Sequence, residues 1–376
     1  MTDLQSILEA GVRAGHAPGF SAAVISADGQ RQVACAGVRG LDNPVPVTPD
    51  TLFWIASCTK AVTSVAALQL VERGVLDLDA PVGGWLPTLA TPRVLTGFDA
   101  AGAPVIRPAE RPITLRHLLT HTSGLAYDFF CADLGVYLAA TGGSLMGAQS
   151  PDIPLMFEPG EGWLYGIGVD WAGRLVEAAS GVGLDAWCAE HIFSPLGMAD
   201  TTFFPDTGQT ARKASVCQKA ADGSMVAIPF AMPSSPHFGM GGGGLYATAN
   251  DYLTFLQAIL RGGSPLLGTE TLAEAMRNQV GERDAGALRS AQPMLSHDFQ
   301  PLPGLTRGHG LAGLLNLDAV PGGRSAGSLA WAGLANCYYW ADPTSGVAGV
   351  LQAQVLPFAD PGVLSVFEAV EQAAYA

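Results

Sequence analysis

The segment FWIASCTK, residues 53–60, places a serine and a lysine three positions apart where an apolar helical pattern begins. At this spacing Ser57 and Lys60 lie one turn apart on the same face of a helix, so the lysine can hydrogen-bond the serine oxygen. A serine hydroxyl is a weak nucleophile until a neighbouring group activates it. The alternative is a serine that caps the helix beside a solvent-facing lysine. The apolar residues that follow predict a helix buried on most sides, which a solvent-facing cap does not need.

Strand-like patterns occur at both ends of the chain, and short helical patterns lie between them. Two apolar runs flank Asp28-Gly29, which predicts a β-hairpin, and apolar or alternating runs return near the C-terminus. The sequence therefore predicts an α/β (α+β) fold with one antiparallel sheet flanked by helices, built from residues 1–85 and 240–376. Residues 86–239, with many Pro- and Gly-rich turns, are predicted to form an inserted, mostly helical domain.

The composition disfavours several classes of partner. Hydrophobic residues make up 48% of the chain and charged residues 14%, so a sizeable core can form. The formal net charge of −14 disfavours nucleic acid and anionic membranes as partners and leaves small neutral molecules open. We recognise neither an export signal nor an apolar run of about 18 residues. We therefore expect a cytoplasmic protein, in keeping with six scattered cysteines that lack a C-x-x-C pair.

Other reactive residues fit a catalytic role less well. Ser325 lies in a G-x-S-x-G motif at 323–327, but that motif requires a preceding strand and, after it, a helix and a histidine. All seven histidines precede Ser325, and a strand-like run follows it. Cys58, beside Ser57, is expected to be a packed thiol. The histidines and acidic residues show no metal-binding spacing, so we expect neither a metal nor another cofactor.

Several segments together resemble one group of serine enzymes. They are LFWIASCTKAVTSVAALQLVERG (52–74), ITLRHLLTHTSGL (113–125), WLYGIGVDWAGRLVEAASG (163–181), IFSPLGMADTTF (192–203), GGGGLYATANDYLTF (241–255) and WAGLANCYYWADPTSGVAGV (331–350). In this order they resemble the serine β-lactamases and penicillin-binding proteins, in particular the class C-like branch and, within it, the family VIII carboxylesterases. The resemblance implies a β-lactamase/transpeptidase-like fold, an active site in the cleft between the two domains, and an acyl-serine intermediate.

The resemblance also implies a role for each matching residue. Ser57 attacks the substrate carbonyl, while Lys60 and Tyr165 share the removal of its proton. A tyrosine is a poor base at neutral pH unless a cation stabilises its phenolate, and Lys60 supplies that charge. The backbone N–H groups of Ser57 and Leu334 form the oxyanion hole. Asp170 either orients the site or caps the helix that follows, and we favour the cap.

Two positions depart from the pattern of the penicillin-recognising enzymes. Trp331, Ala332 and Gly333 stand where those enzymes have Lys-Thr-Gly, whose lysine holds a substrate carboxylate. Ile167 stands where the class C pattern has an asparagine two residues after the tyrosine. Both changes replace polar anchors with apolar surface, which favours uncharged esters over β-lactams and D-alanyl peptides.

We therefore expect a serine carboxylesterase that hydrolyses short-chain, uncharged esters through an acyl-serine and has at most weak β-lactamase activity. The aromatic residues Tyr127, Phe129 and Phe130, just after HTSGL, are the expected pocket walls, although core packing explains them equally well. Three alternatives stay open. They are an acyltransferase with the same acyl-enzyme, a β-lactamase or D-alanyl peptidase, and a binding protein without catalysis.

Overall fold

Helices and strands alternate along the parts of the chain that the computed structural model describes, residues 3–145, 153–230, 232 and 239–376. The helices are α1 (Leu4–Arg13), α2 (Thr59–Glu72), α3 (Leu115–Leu119), α4 (Ala132–Thr141), α5 (Gly168–Ser180), α6 (Leu184–Cys188), α7 (Ser194–Leu196), α8 (Thr207–Thr210), α9 (Ala249–Leu260), α10 (Thr269–Ala275) and α11 (Pro361–Tyr375). The strands are β1 (Gly19–Ile25), β2 (Arg31–Gly37), β3 (Phe53–Trp54), β4 (Arg93–Phe98), β5 (Pro104–Pro108), β6 (Cys217–Lys219), β7 (Met225–Ala227), β8 (Tyr246–Ala247), β9 (Arg307–His309), β10 (Leu314–Asn316), β11 (Leu329–Gly333), β12 (Cys337–Asp342), β13 (Val347–Gln352) and β14 (Val355–Leu356).

A seven-stranded antiparallel sheet in the order β2-β1-β13-β12-β11-β10-β9 forms the main layer of the fold. β1 turns into β2 at Asp28-Gly29, with Ile25 opposite Arg31. All seven residues of β1 are buried, because α1, α9 and α11 pack against the sheet. The predicted antiparallel sheet flanked by helices is therefore confirmed.

The sheet joins the two ends of the chain. β1 pairs with β13, and Ala23 lies opposite Val350. Two of the seven strands precede residue 40 and the other five follow residue 306. The described residues between them contribute helices and the hairpins β4–β5 and β6–β7, but no strand of this sheet. The boundaries of the inserted domain, 86–239, stay a prediction.

α2 lies in the centre of the protein, and each of its residues from 59 to 70 is buried. It packs against α5 and α6, and the burial of a leucine such as Leu68 contributes about 1.5–3 kcal/mol. A 3-10 turn, Ala56–Cys58, leads into the helix. The Thr59 hydroxyl fastens this turn, since it donates to Ala56 O at 2.6 Å and accepts from Leu245 N at 3.1 Å. The serine motif thus begins on a rigid, buried element.

No helix in the described ranges is both long and apolar enough to cross a lipid bilayer. The longest of them, α11, has 15 residues, whereas a transmembrane helix needs about 20. The cytoplasmic location stays a prediction.

Candidate active site

Ser57 lies in the 3-10 turn between β3 and α2. β3 pairs with β8, which brings this turn against the glycine-rich segment 241–244, and Trp54 Nε1 donates to Gly243 O at 2.7 Å. Ala56, just before the serine, has φ 45°, a left-handed conformation that costs a non-glycine residue roughly 1–2 kcal/mol. The surrounding contacts therefore hold the backbone in front of Ser57 in one strained conformation.

Lys60 makes three hydrogen bonds beside the serine. Its Nζ atom lies 3.2 Å from Ser57 Oγ, 3.1 Å from Tyr127 Oη and 2.6 Å from the carbonyl oxygen of Gly242. An ammonium group has three hydrogens, so these acceptors engage all of them. Lys60 is only 4% exposed. The structure thus brings Ser57 and Lys60 together, as their helical spacing predicts.

The hydroxyl of Tyr165 accepts a hydrogen bond from Trp331 Nε1 at 3.0 Å. The Tyr165 ring packs against Lys60, whose Nζ atom lies 4.8 Å from the ring centroid. Lys60 therefore contacts the face of the Tyr165 ring and not its hydroxyl, and the Lys60 hydrogens point to other acceptors. The third-motif residue Trp331, rather than Lys60, contacts the Tyr165 oxygen.

Tyr127 and Asp170 are part of the site in a way that the sequence analysis missed. The Tyr127 hydroxyl donates to Asp170 Oδ2 at 3.2 Å, and the backbone N–H of Gly242 donates to Asp170 Oδ1 at 2.9 Å. The favoured interpretation of Asp170 as a helix cap is wrong, because Ile167 is the N-cap residue of α5. The bonded pairs are 43 and 72 positions apart, so no local spacing indicates them.

Burial and neighbouring charges shift the pKa of both members of this pair. Burial raises the pKa of Asp170, while Lys60 and the hydrogen bond from Gly242 oppose that change. Burial, followed by the nearby Asp170, raises the pKa of Tyr127 well above its usual range. Tyr127 is therefore a neutral phenol that donates to Asp170 and accepts from Lys60.

The end of β11 lies against the serine turn. A Cβ atom on Gly333 would lie 2.3 Å from Ile55 O, so only glycine permits this approach. Leu334, the next residue, lines the same cavity as Ser57. The arrangement is compatible with an oxyanion hole formed by the two backbone N–H groups, and that role stays a prediction.

A cavity of about 680 Å³ opens at Ser57. Its lining is mainly apolar and includes Trp54, Tyr127, Phe129, Phe130, Leu138, Leu145, Ile153, Tyr165, Ile167, Trp171, Phe230, Met232, Met240, Leu288, Leu295, Trp331, Ala332, Leu334 and Phe358. The three aromatic residues after HTSGL are thus at the cavity, and so are both positions that depart from the penicillin-recognising pattern.

The rival nucleophiles lie in other surroundings. Ser325 sits between β10 and β11, where its hydroxyl hydrogen-bonds the Ser345 hydroxyl at 2.9 Å, and it does not line the cavity. Cys58 is 1% exposed, and burial raises the pKa of its thiol well above the ordinary value. Its S–H points to Cys337 O at 3.8 Å. A protonated, enclosed thiol is a packing residue, as predicted.

The described residues contain no group of three or more His, Cys, Asp or Glu side chains placed to hold a metal ion. Two histidines do meet behind the site: the ring centroids of His121 and His309 are 5.3 Å apart, and His121 also packs against Tyr165. Burial lowers the pKa of both, to about 4 for His309. Both imidazoles are therefore neutral at pH 7.

The site and fold agree with a comparison against protein families, in which the family described as Beta-lactamase matches residues 4–369. The chain belongs to the β-lactamase family. The β-lactamase/transpeptidase-like fold expected from the sequence is confirmed.

Relatives of this β-lactamase-family protein include enzymes named for acyl transfer and for ester hydrolysis. ML-236A carboxylate methylbutanoyltransferase of Penicillium citrinum is 31% identical, over 100% of this chain and 94% of the relative. Lovastatin esterase of Penicillium rubens is 33% identical, over 83% of this chain and 82% of the relative. Among solved structures, the LovD6 mutant of simvastatin synthase from Aspergillus terreus has a TM-score of 0.87 at 32% identity and covers 99% of this chain and 93% of its own.

These relatives place the β-lactamase-family protein among serine-type enzymes of acyl transfer and hydrolysis. They support acyl-enzyme chemistry on this fold. They do not single out the family VIII carboxylesterases, because both kinds of activity occur among them.

Proposed function

We propose that this protein is an acyltransferase that forms an acyl-enzyme on Ser57 and passes the acyl group to the hydroxyl of a second, largely apolar substrate. Hydrolysis, the reaction favoured by the sequence analysis, is the competing outcome in which water takes the acyl group. The names of relatives that span most of the chain, a methylbutanoyltransferase and a simvastatin synthase, support transfer.

The cavity around Ser57 carries this proposal. Its volume of about 680 Å³ lies in the range of about 300–1,000 Å³ that suits drug-sized ligands. A short acyl group on Ser57 fills a small part of that volume. The remaining space is lined mainly by aromatic and aliphatic side chains, so an apolar acceptor fits it well. Such an acceptor also displaces water from the acyl-enzyme, which favours transfer over hydrolysis.

In the proposed reaction, Ser57 Oγ attacks the carbonyl carbon of the ester donor, and its proton passes to the unprotonated amine of Lys60, 3.2 Å away. The carbonyl oxygen becomes an oxyanion that the N–H groups of Ser57 and Leu334 stabilise. As the intermediate collapses, the bond to the leaving alcohol breaks, and that alcohol takes a proton from Tyr165. The acceptor alcohol then attacks the acyl carbonyl carbon and gives its proton to Tyr165, which had lost one to the leaving alcohol. As this second intermediate collapses, the bond from the acyl carbon to Ser57 Oγ breaks, and Ser57 takes back the proton held by Lys60.

The substrates are proposed to be uncharged at the reacting end. Trp331 occupies the position of the carboxylate-binding lysine, and its indole N–H donates a hydrogen bond to the Tyr165 oxygen. Ile167 lines the cavity in place of an amide. A β-lactam carboxylate would therefore lose its counter-charge at the third motif, which argues against a β-lactamase or D-alanyl peptidase.

Hydrolysis remains the second candidate function because the relative named lovastatin esterase matches the chain as well as the transferases do. A hydrolase uses the same acyl-enzyme and differs only in the molecule that attacks it. Partitioning of the acyl group between water and an alcohol therefore separates the two functions.

The test is to supply p-nitrophenyl butyrate with and without cyclohexanol and to quantify butyrate and cyclohexyl butyrate by mass spectrometry. Transfer predicts that cyclohexyl butyrate exceeds butyrate, and that Ser57→Ala forms neither. Butyrate as the sole product over a series of apolar alcohols would overturn the transferase proposal in favour of the esterase. Turnover of a chromogenic cephalosporin at the rate of the ester would overturn the argument from Trp331.

A further inference from the structure

A closed ring of hydrogen bonds joins four residues, Lys60, Tyr127, Asp170 and Gly242. Lys60 Nζ donates to Tyr127 Oη at 3.1 Å, and the Tyr127 hydroxyl donates to Asp170 Oδ2 at 3.2 Å. On the other side, Lys60 Nζ donates to Gly242 O at 2.6 Å, and Gly242 N donates to Asp170 Oδ1 at 2.9 Å. Asp170 is therefore connected to Lys60 by two separate routes.

We propose that Asp170 is a positioning residue of the acyl-transfer site. Its carboxylate holds the Tyr127 hydroxyl and the Gly242 peptide so that the Tyr127 oxygen and the Gly242 carbonyl oxygen both face Lys60 Nζ. This inference rests on the proposed function, because it assigns Asp170 a part in the activation of Ser57. Asp170 lines the cavity, but its two oxygens accept hydrogen bonds from Tyr127 and Gly242, and it acts through these two partners.

The ring sets the direction of the remaining hydrogen of Lys60. Two of the three ammonium hydrogens are held by Tyr127 and Gly242, so rotation about the Cε–Nζ bond is fixed. The third hydrogen then points to Ser57 Oγ at 3.2 Å. When the amine is unprotonated, its lone pair occupies this same direction and faces the serine proton. Loss of either route would leave the amine free to rotate away.

The carboxylate also compensates the buried charge of Lys60. A cation removed from water needs an opposite charge or good hydrogen bonds, and Asp170 is the carboxylate that Tyr127 and Gly242 connect to it. Because Tyr127 stays a neutral phenol, it relays orientation and does not compete as a base for the Ser57 proton. The other titratable groups that face Lys60 are Tyr165, His121 and Cys58.

The glycine at 242 is required by this arrangement. A Cβ atom there would lie 2.2 Å from Asp170 Oδ2, closer than any side chain tolerates. The carboxylate therefore occupies the space that a side chain of residue 242 would fill. Steric contact with the Asp170 carboxylate thus explains why the second position of the glycine-rich segment 241–244 is a glycine.

The decisive variant is Asp170→Asn, which keeps the size of the side chain and an acceptor for Gly242 N but removes the charge and the acceptor for the Tyr127 proton. We expect kcat for p-nitrophenyl butyrate to fall roughly 10- to 100-fold with KM changed less than about threefold, as for a group that acts on the chemical step. Loss of the negative charge makes the nearby cation easier to deprotonate. The midpoint of the rising limb of kcat against pH should therefore move at least about half a unit to lower pH.

Asp251→Asn is the matched control. Like Asp170, Asp251 is a carboxylate in the first turn of a helix, and it accepts from one backbone N–H, of Asp200, and from one hydroxyl, of Thr201. It lies outside the cavity. This change should affect thermal stability as Asp170→Asn does, but it should leave kcat and the pH midpoint unchanged.

Tyr127→Phe tests the route through the phenol and replaces Asp170→Asn if that variant does not fold. We expect a similar fall in kcat, and a double variant whose loss is smaller than the product of the two single losses, because both interrupt one ring. Multiplicative losses, or an Asp170→Asn enzyme with the wild-type kcat and pH midpoint, would overturn the inference. Failure of the proposed function is seen separately in the wild-type protein, either as butyrate without any cyclohexyl butyrate or as the absence of a fluorophosphonate label at Ser57.

Discussion

Trp331 and Tyr165 are joined by a hydrogen bond of 3.0 Å from the indole N–H to the phenol oxygen. The third-motif position, where related enzymes hold a substrate carboxylate, is here used to orient a side chain of the protein itself. A bond that fixes the Tyr165 hydroxyl also limits the directions in which it can exchange a proton. This relationship ties the proposed preference for uncharged substrates to the geometry of the proposed catalytic step.

Replacement of Trp331 by phenylalanine should therefore lower activity beyond any effect on binding. Trp331→Phe keeps an aromatic ring but removes the N–H donor, and one hydrogen bond contributes about 0.5–1.5 kcal/mol. We expect kcat for p-nitrophenyl butyrate to fall about 3- to 10-fold. Steady-state kinetics measure the effect.

Trp340→Phe is the control, since Trp340 is a buried tryptophan of the neighbouring strand β12 whose Nε1 finds no hydrogen-bond partner among the residues that the structure describes. It should lower the melting temperature without lowering kcat. Equal losses of kcat in the two variants would show that packing, and not the bond to Tyr165, determines the result.

Removal of the nucleophile or its basic partner should abolish the reaction. Ser57→Ala leaves no oxygen to acylate, and Lys60→Met removes the amine 3.2 Å from that oxygen. We expect losses of at least about 10³-fold in kcat for both, and little further loss when they are combined, because the two groups act as one unit. Ester kinetics and fluorophosphonate labelling with peptide mapping report the outcome. A label on Ser325 in the wild-type protein would refute the assignment.

A smaller side chain at Phe129 should change the preferred acyl length. Phe129 lines the cavity and stacks on Tyr127 with ring centroids 4.9 Å apart. Phe129→Ala adds apolar space, and a methylene in such a pocket contributes about 1–3 kcal/mol to discrimination. We expect the ratio of kcat/KM for p-nitrophenyl octanoate to that for butyrate to rise at least about 10-fold. Phe98→Ala, outside the cavity, should leave the ratio unchanged.

Acid should destabilise the fold through the buried histidines. Burial depresses the pKa of His309 to about 4. Between about pH 6.5 and 4 the unfolded chain therefore binds a proton at this histidine, whereas the native state does not. Stability from this group is complete above about pH 6.5 and is lost as pH falls toward 4, by roughly 2 kcal/mol between pH 7 and 5. Urea unfolding at both pH values measures the change.

His309→Gln removes this titrating group, so the free energy of unfolding of the variant should fall by roughly 2 kcal/mol less between pH 7 and 5 than that of the wild type. At pH 7 the variant differs from the wild type only through packing. Replacement of the exposed His297 in the same way is the control for the loss of one histidine. An unchanged difference between pH 7 and 5 in His309→Gln would assign the acid sensitivity to other groups.

Local patterns predicted much of this architecture because their physical causes are local. The apolar run after Lys60 predicts α2, and the turn signal Asp28-Gly29 predicts the β1–β2 hairpin. The spacing of Ser57 and Lys60 predicts their contact, since one helical turn separates them.

The remaining parts of the site depend on contacts between distant segments. Lys60 and Tyr127 are 67 positions apart, and Asp170 and Gly242 are 72 apart, so their meeting follows from the packing of α2 against α5 and the glycine-rich segment. An acidic residue in the first turn of a helix is ordinarily explained by the helix dipole, which made Asp170 resemble a cap. Its hydrogen bonds to Tyr127 and Gly242 distinguish it from such a residue, and these bonds depend on the whole fold.

The pairing of β1 with β13 has a consequence for biosynthesis. β1 leaves the ribosome early and β13, residues 347–352, leaves late, so at about 5–20 residues per second the first strand waits roughly 15–65 s for its neighbour. During that interval β1 lacks one of its two neighbouring strands in the sheet. Residues 331–334, which lie at the Ser57 cavity, are also made more than 270 positions after Ser57, so the walls of this cavity come together only once that later segment has been synthesised.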